Sequence, residues 1–147
     1  MLYKHCEKTI YGYCLRMLNH QQDTEDAVQT IFLKLFRNLS NYKYKARFTT
    51  YLFTIARNVC YDILNQTKHE NEDLENAKYI AGNATDYDHD ISRAISKLPE
   101  RTRECFILFA IEGYPQEEIA EILGVRIGTV KALVFQAREK LRIWLSE

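Results

Sequence analysis

The stretch at residues 117–141, EEIAEILGVRIGTVKALVFQAREKL, decides the fold. Its apolar residues recur at three- and four-residue steps on both sides of one glycine, the pattern of a short helix, a tight turn and a long helix. The short helix is expected over Gln116 to Leu123, opened by Pro115, with Ile119, Ala120 and Leu123 inside. Gly124 closes it as a left-handed cap, where a side chain would resist positive φ. After Val125 and Arg126 the long helix runs to about Leu145, with Val130, Val134, Ala137, Leu141 and Trp144 on its inner face. This is the grammar of a helix-turn-helix, in which the small Ala120 lets the two helices cross closely. The long helix then turns Gly128, Ala132, Phe135, Gln136 and Glu139 outward, flanked by Thr129 and Lys131. Such a face fits a DNA major groove. Gly128 and Thr129 would offer free backbone amides to a phosphate at the helix start.

Upstream, Ile91, Ile95 and Leu98 form one helical face. Pro99 suits the first turn of a further helix that carries Cys105, Phe106, Leu108 and Phe109 and ends near Gly113. Three more amphipathic helices precede these. Tyr3, Cys6, Ile10, Tyr13, Cys14 and Met17 make the first stripe. The second is Val28, Ile31, Phe32, Leu35 and Leu39, N-capped by Asp23 or Thr24, with Glu25 and Asp26 in the positive first turn. The third is Phe48, Leu52, Ile55, Ala56, Val59 and Ile63, reached through a break at residues 40–47. Between the two groups, residues 67–90 lose periodicity, with a short helical piece expected around residues 74–80. The expected fold is all-α: two small helical bundles, residues 1–67 and 91–147, joined by a flexible acidic linker at 68–90, with the helix-turn-helix in the C-terminal bundle.

The composition agrees. Five Gly and two Pro are few for 147 residues, which favours helices over a turn-rich β fold. The formal net charge is zero, yet residues 1–68 hold ten Lys and Arg against five Asp and Glu, residues 69–97 three against seven, and residues 98–147 seven against eight. A basic front beside an acidic connector can hide a nucleic-acid-binding surface in the average. No apolar run is long enough to span a bilayer and no signal peptide opens the chain, so a cytoplasmic protein is expected. Cys6, Cys14, Cys60 and Cys105 are widely spaced and read as small buried apolar residues rather than metal ligands. No phosphate loop, metal cluster or nucleophile–base motif is evident, so neither an enzyme nor a cofactor is expected.

The run at residues 98–141, LPERTRECFILFAIEGYPQEEIAEILGVRIGTVKALVFQAREKL, resembles the C-terminal, minus-35-reading domain of the extracytoplasmic-function sigma factors. The runs DTEDAVQTIFLKLF and FTTYLFTIARNVCYDIL resemble their N-terminal domain, which binds the polymerase and melts the minus-10 element. The two matches stand in the family's order and cover nearly the whole chain. The resemblance implies a sigma factor that binds bacterial core RNA polymerase, at the β′ clamp coiled coil and the β flap, and directs it to promoter DNA. It implies that Asp26, Gln29, Phe32 and Leu33 dock on the coiled coil. Tyr42, Lys43, Tyr44, Lys45 and Arg47, with Arg57 and Asn58, would hold the minus-10 strand and a flipped base; rings to stack on and cations to hold the strand suit that task. Arg126, Gly128, Thr129, Lys131, Ala132, Phe135 and Gln136 would meet the minus-35 element.

The resemblance further implies an anti-sigma partner, which can hold such a factor at the membrane until it joins the nucleoid, and a connector that threads the polymerase. In that connector Glu70, Glu72, Asp73, Glu75, Asp86, Asp88 and Asp90 would imitate RNA. No small-molecule substrate is implied. Six positions depart from the family pattern. Thr30 stands where an acidic residue is usual and Tyr51 where Trp is usual, and the recognition helix carries Ala132, Leu133, Phe135 and Gln136 in place of a polar or basic run. Fewer cations there imply fewer phosphate contacts. The alternative function is a stand-alone helix-turn-helix regulator binding operators as a dimer.

Overall fold

A computed structural model describes residues 2–42, 47–70 and 86–146. The chain divides into two compact units, residues 1–78 and 79–147. The described residues contain seven α-helices and no strand.

In the first unit α1 (Leu2–Leu18), α2 (Gln21–Arg37) and α3 (Phe48–Glu70) pack pairwise around one core. The first stripe is buried as its spacing predicts: Cys6, Ile10, Tyr13, Cys14 and Met17 face inward, whereas the Tyr3 side chain lies outside the described residues. From α2 come Ala27, Ile31, Phe32 and Leu35, and from α3 Leu52, Phe53, Ala56, Val59 and Cys60. Tyr13 and Phe53 meet edge to face, with ring centroids 5.3 Å apart, a geometry the aromatic quadrupole favours.

Two expectations for α2 are corrected. The helix starts at Gln21, ahead of Asp23 and Thr24, because His20 caps it: the Asp23 N–H donates to His20 Nδ1 at 3.1 Å. Thr24 is already inside the helix, its hydroxyl donating to the His20 carbonyl at 2.7 Å. The early start leaves Asp23 as the acidic residue of the first turn and moves Glu25 and Asp26 beyond it. Histidine is not among the strong capping residues, which is why the sequence points elsewhere. At the other end α2 stops at Arg37, and a 3₁₀ turn at Leu39–Asn41 rotates Leu39 out to solvent instead of continuing the apolar face.

The second unit contains α4 (Asp86–Ser96), α5 (Glu100–Phe106), α6 (Gln116–Leu123) and α7 (Ile127–Leu145). The long α7 packs against each of the other three. Its inner residues Val130, Val134, Ala137 and Leu141 are buried against Ala94, Ile95, Leu98, Cys105, Leu108, Ile119, Ile122 and Leu123, with Trp144 half-buried. Pro99 sits one residue ahead of the first turn of α5, at the cap position, where its carbonyl accepts from the Arg103 N–H at 2.7 Å. The helix expected to run to Gly113 widens into a π-helical turn at Ile107–Ile111, with the Glu112 N–H reaching the Ile107 carbonyl at 3.0 Å. Gly113, at φ 76°, then ends it.

Candidate nucleic-acid interface

The helix-turn-helix forms as its spacing predicts. Gly124 adopts φ 68° and ψ 36°, and the Val125 N–H donates to the Ala120 carbonyl at 3.1 Å, so the last carbonyls of α6 find partners inside the turn. Arg126 is the N-cap residue of α7, extended and without a side-chain cap bond. Beyond it Gly128, Thr129, Lys131, Ala132, Phe135 and Gln136 are all exposed, while Glu139 is half-buried and pairs with Arg142 at 2.8 Å. Phe135 is 65% exposed, unusual for a phenylalanine with a core beside it. A Cβ added at Gly128 would meet nothing within 4 Å. The fold does not require this glycine, whereas close approach of another molecule would. The Thr129 amide is not free as expected: it donates to the Arg126 carbonyl at 3.0 Å, in a tightened first turn.

On α2, Asp26, Gln29 and Leu33 are exposed and stand three and four residues apart, so they share one outward face. Gln22 Nε2 donates to Asp26 Oδ1 at 3.1 Å and holds that carboxylate in place. Thr30 turns its hydroxyl back to the Asp26 carbonyl at 2.9 Å. Phe32 is instead a core residue, 6% exposed, as helical periodicity alone suggests. Sequence reading missed Phe36. It extends the row by three residues from Leu33 and is 58% exposed, against 55% for Leu33. Its signal was its spacing on a face already marked by Gln29 and Leu33.

Tyr42 and Arg47 bound the candidate minus-10 loop. Tyr42 is half-buried, its ring 5.0 Å from that of Tyr51 and 6.2 Å from that of Phe48. The Tyr51 hydroxyl donates to the Asn38 carbonyl at 3.2 Å, tying α3 to the end of α2. That bond is what a hydroxyl adds at a position where the family resemblance expects Trp. Arg47 is exposed, while Lys43, Tyr44 and Lys45 lie outside the described residues. On α3, Asn58 is exposed and the neighbouring Arg57 guanidinium lies over the Tyr61 ring at 4.8 Å. Of the acidic connector, Asp90 is exposed on α4; Glu72, Asp73 and Glu75 and the helical piece expected at 74–80 lie outside the described residues, as do the side chains of Glu70, Asp86 and Asp88. Among the described residues no group of three or more His, Cys, Asp or Glu is placed to hold a metal ion.

Two helical units, the second presenting the outer face of a helix-turn-helix, define a class of DNA-binding protein. Comparison with known proteins narrows the class. Residues 2–70 match the family model "Sigma-70 region 2" and residues 88–141 match "Sigma-70, region 4". The chain is 30% identical to the RNA polymerase sigma factor CarQ of Myxococcus xanthus, covering 94% of this chain and 83% of that one. It is 28% identical to the ECF RNA polymerase sigma factor SigW of Bacillus subtilis, over 90% and 81% of the two chains. The crystallised sigma factor RpoE of Bartonella quintana, in complex with the anti-sigma factor NepR, superposes with a TM-score of 0.86 at 25% identity, over 96% of this chain and 92% of that one. The chain belongs to the sigma-70 family, in its extracytoplasmic-function group, and is a sigma factor for transcription initiation.

Proposed function

We propose that the two units divide the work of promoter recognition. The outward face of α2, with Asp26, Gln29 and Leu33 over the buried Phe32, docks on the β′ clamp coiled coil of bacterial core RNA polymerase. Tyr42, Lys43, Tyr44, Lys45 and Arg47, with Arg57 and Asn58, hold the minus-10 strand and an extruded base. The face of α7 at Arg126, Gly128, Thr129, Lys131, Ala132, Phe135 and Gln136 meets the minus-35 element, and the second unit engages the β flap. Residues 68–90, between domains at 1–67 and 91–147, act as an acidic connector within the polymerase. The protein makes and breaks no bonds itself. It works in the cytoplasm; no helix among the described residues is long and apolar enough to cross a membrane.

The observation that carries this reading is that both sigma-70 regions match, in order, with exposed faces on each. A stand-alone regulator would use the second unit only and leave the match over residues 2–70 without a purpose. The anti-sigma complex of the similar RpoE supports a protein inhibitor for this chain too, since apolar exposure at Leu33, Phe36 and Phe135 suits a covering partner. The test is a fluorescence titration with core RNA polymerase in the absence of DNA. Saturable binding at nanomolar to micromolar protein is expected, and Gln29→Ala or Asp26→Ala should weaken it with circular dichroism unchanged. Unaltered affinity in both variants would remove α2 from the docking surface.

A further inference from the structure

One pair of groups takes no part in these surfaces. Cys14 on α1 and Cys60 on α3 are both fully buried, with the Cys60 S–H directed at Cys14 Sγ across 3.6 Å. They are 46 positions apart in sequence, and they meet because Ile10, Tyr13 and Met17 on α1 pack with Ala56 and Val59 in the same core. Cys6 and Cys105 have no such facing thiol; within the second unit, the Cys105 S–H points at the Val130 carbonyl 3.7 Å away. A disulfide needs its sulfurs about 2.05 Å apart. The pair must therefore close by roughly 1.5 Å for the bond to form.

We propose that Cys14 and Cys60 form a reversible intrachain disulfide under peroxide stress, a redox-sensitive staple between α1 and α3. One thiolate attacks a hydrogen peroxide oxygen; the O–O bond breaks, leaving a sulfenic acid and, after protonation, water. The second thiol then attacks the sulfenic sulfur, the S–S bond forms, and the hydroxyl leaves as a second water. Two thiols lose two protons and two electrons in all, and the peroxide takes them up to become two waters. Because both sulfurs are shielded, the first step proceeds from a locally opened state, so the rate levels off once peroxide is in excess. Covalent closure of so long a loop restricts the unfolded chain, so the oxidised protein melts at a higher temperature.

The test uses the full chain carrying Cys6→Ala and Cys105→Ala, which retains Cys14 and Cys60 alone, beside the wild type. After hydrogen peroxide under native conditions, the double variant should remain a monomer, lose both titratable thiols, and melt higher than its reduced form until dithiothreitol reverses the change. In the wild type, peptide mapping should join Cys14 to Cys60 and leave Cys6 and Cys105 as thiols. Thiols that survive while an exposed-cysteine control reacts, a linkage between chains, or a lower melting temperature after oxidation would each overturn the proposal.

Discussion

Asn58 stands exposed on α3 one residue from Arg57, whose guanidinium is stacked on Tyr61. An exposed amide contributes little to the core, so its loss should be felt in function and not in stability. Asn58→Ala is expected to lower open-complex formation on a promoter more than polymerase binding; a permanganate footprint beside a core-binding titration measures both, and equal losses would count against a base-holding role. Burial has the opposite consequence at Cys105. Desolvation, aided by the charge of Glu104, pushes its thiol up from 9.0 to about 12. The folded state then keeps a proton that the unfolded chain releases, so the contribution of this group to stability is intact below pH 9.0 and is lost as pH rises towards about 12. Urea titrations across that alkaline window should show a smaller loss for Cys105→Ala than for the parent. Parallel losses would mean that this thiol does not set the dependence.

At the scale of the element, α2 and α7 teach different lessons. The core face of α2 follows its 3.6-residue period from Ala27 to Leu35, yet both ends depart from expectation, because His20 supplies a cap and Asn38 begins a 3₁₀ turn. Helix ends are set by single hydrogen bonds, which periodicity does not report. In α7 the inner face is settled by packing, and the outer face is left to whatever it binds. Gly128 lies in helical backbone with open space around it. Gly128→Ala should therefore raise stability by about 0.5–1 kcal/mol while weakening promoter binding, measured by thermal melts beside a mobility-shift titration; gain without loss would remove the close approach from the reading. Gln136→Ala should shift base preference within the upstream promoter element, as read from a promoter library, and an unchanged preference would show that Gln136 does not read bases.

At the scale of the whole molecule, the chain comprises two compact units, each with its own core. Ile31 is fully buried in the first, and truncating such a side chain costs about 2–5 kcal/mol. Ile31→Ala should therefore speed hydrogen exchange in α1, α2 and α3 and leave α6 and α7 as protected as before. Equal deprotection of both units would mean that they unfold together. The net charge of zero hides this division, since ten Lys and Arg against five Asp and Glu over residues 1–68 are offset further along the chain.

The sequence by itself determined the helical class, the helix-turn-helix with its left-handed glycine, and the inward stripes of α1, α2 and α7. Each of these rests on local backbone preference or on a repeating period, and both are written in neighbouring residues. Tertiary structure decided which groups meet across helices: Cys14 with Cys60, Tyr51 with Asn38, Tyr42 with Phe48 and Tyr51. It also decided that Phe36, three residues beyond Leu33, is left facing solvent. Period alone places a residue on a helix face. Which part of that face a neighbouring helix covers depends on how the helices cross, and that follows from the packing of the whole core.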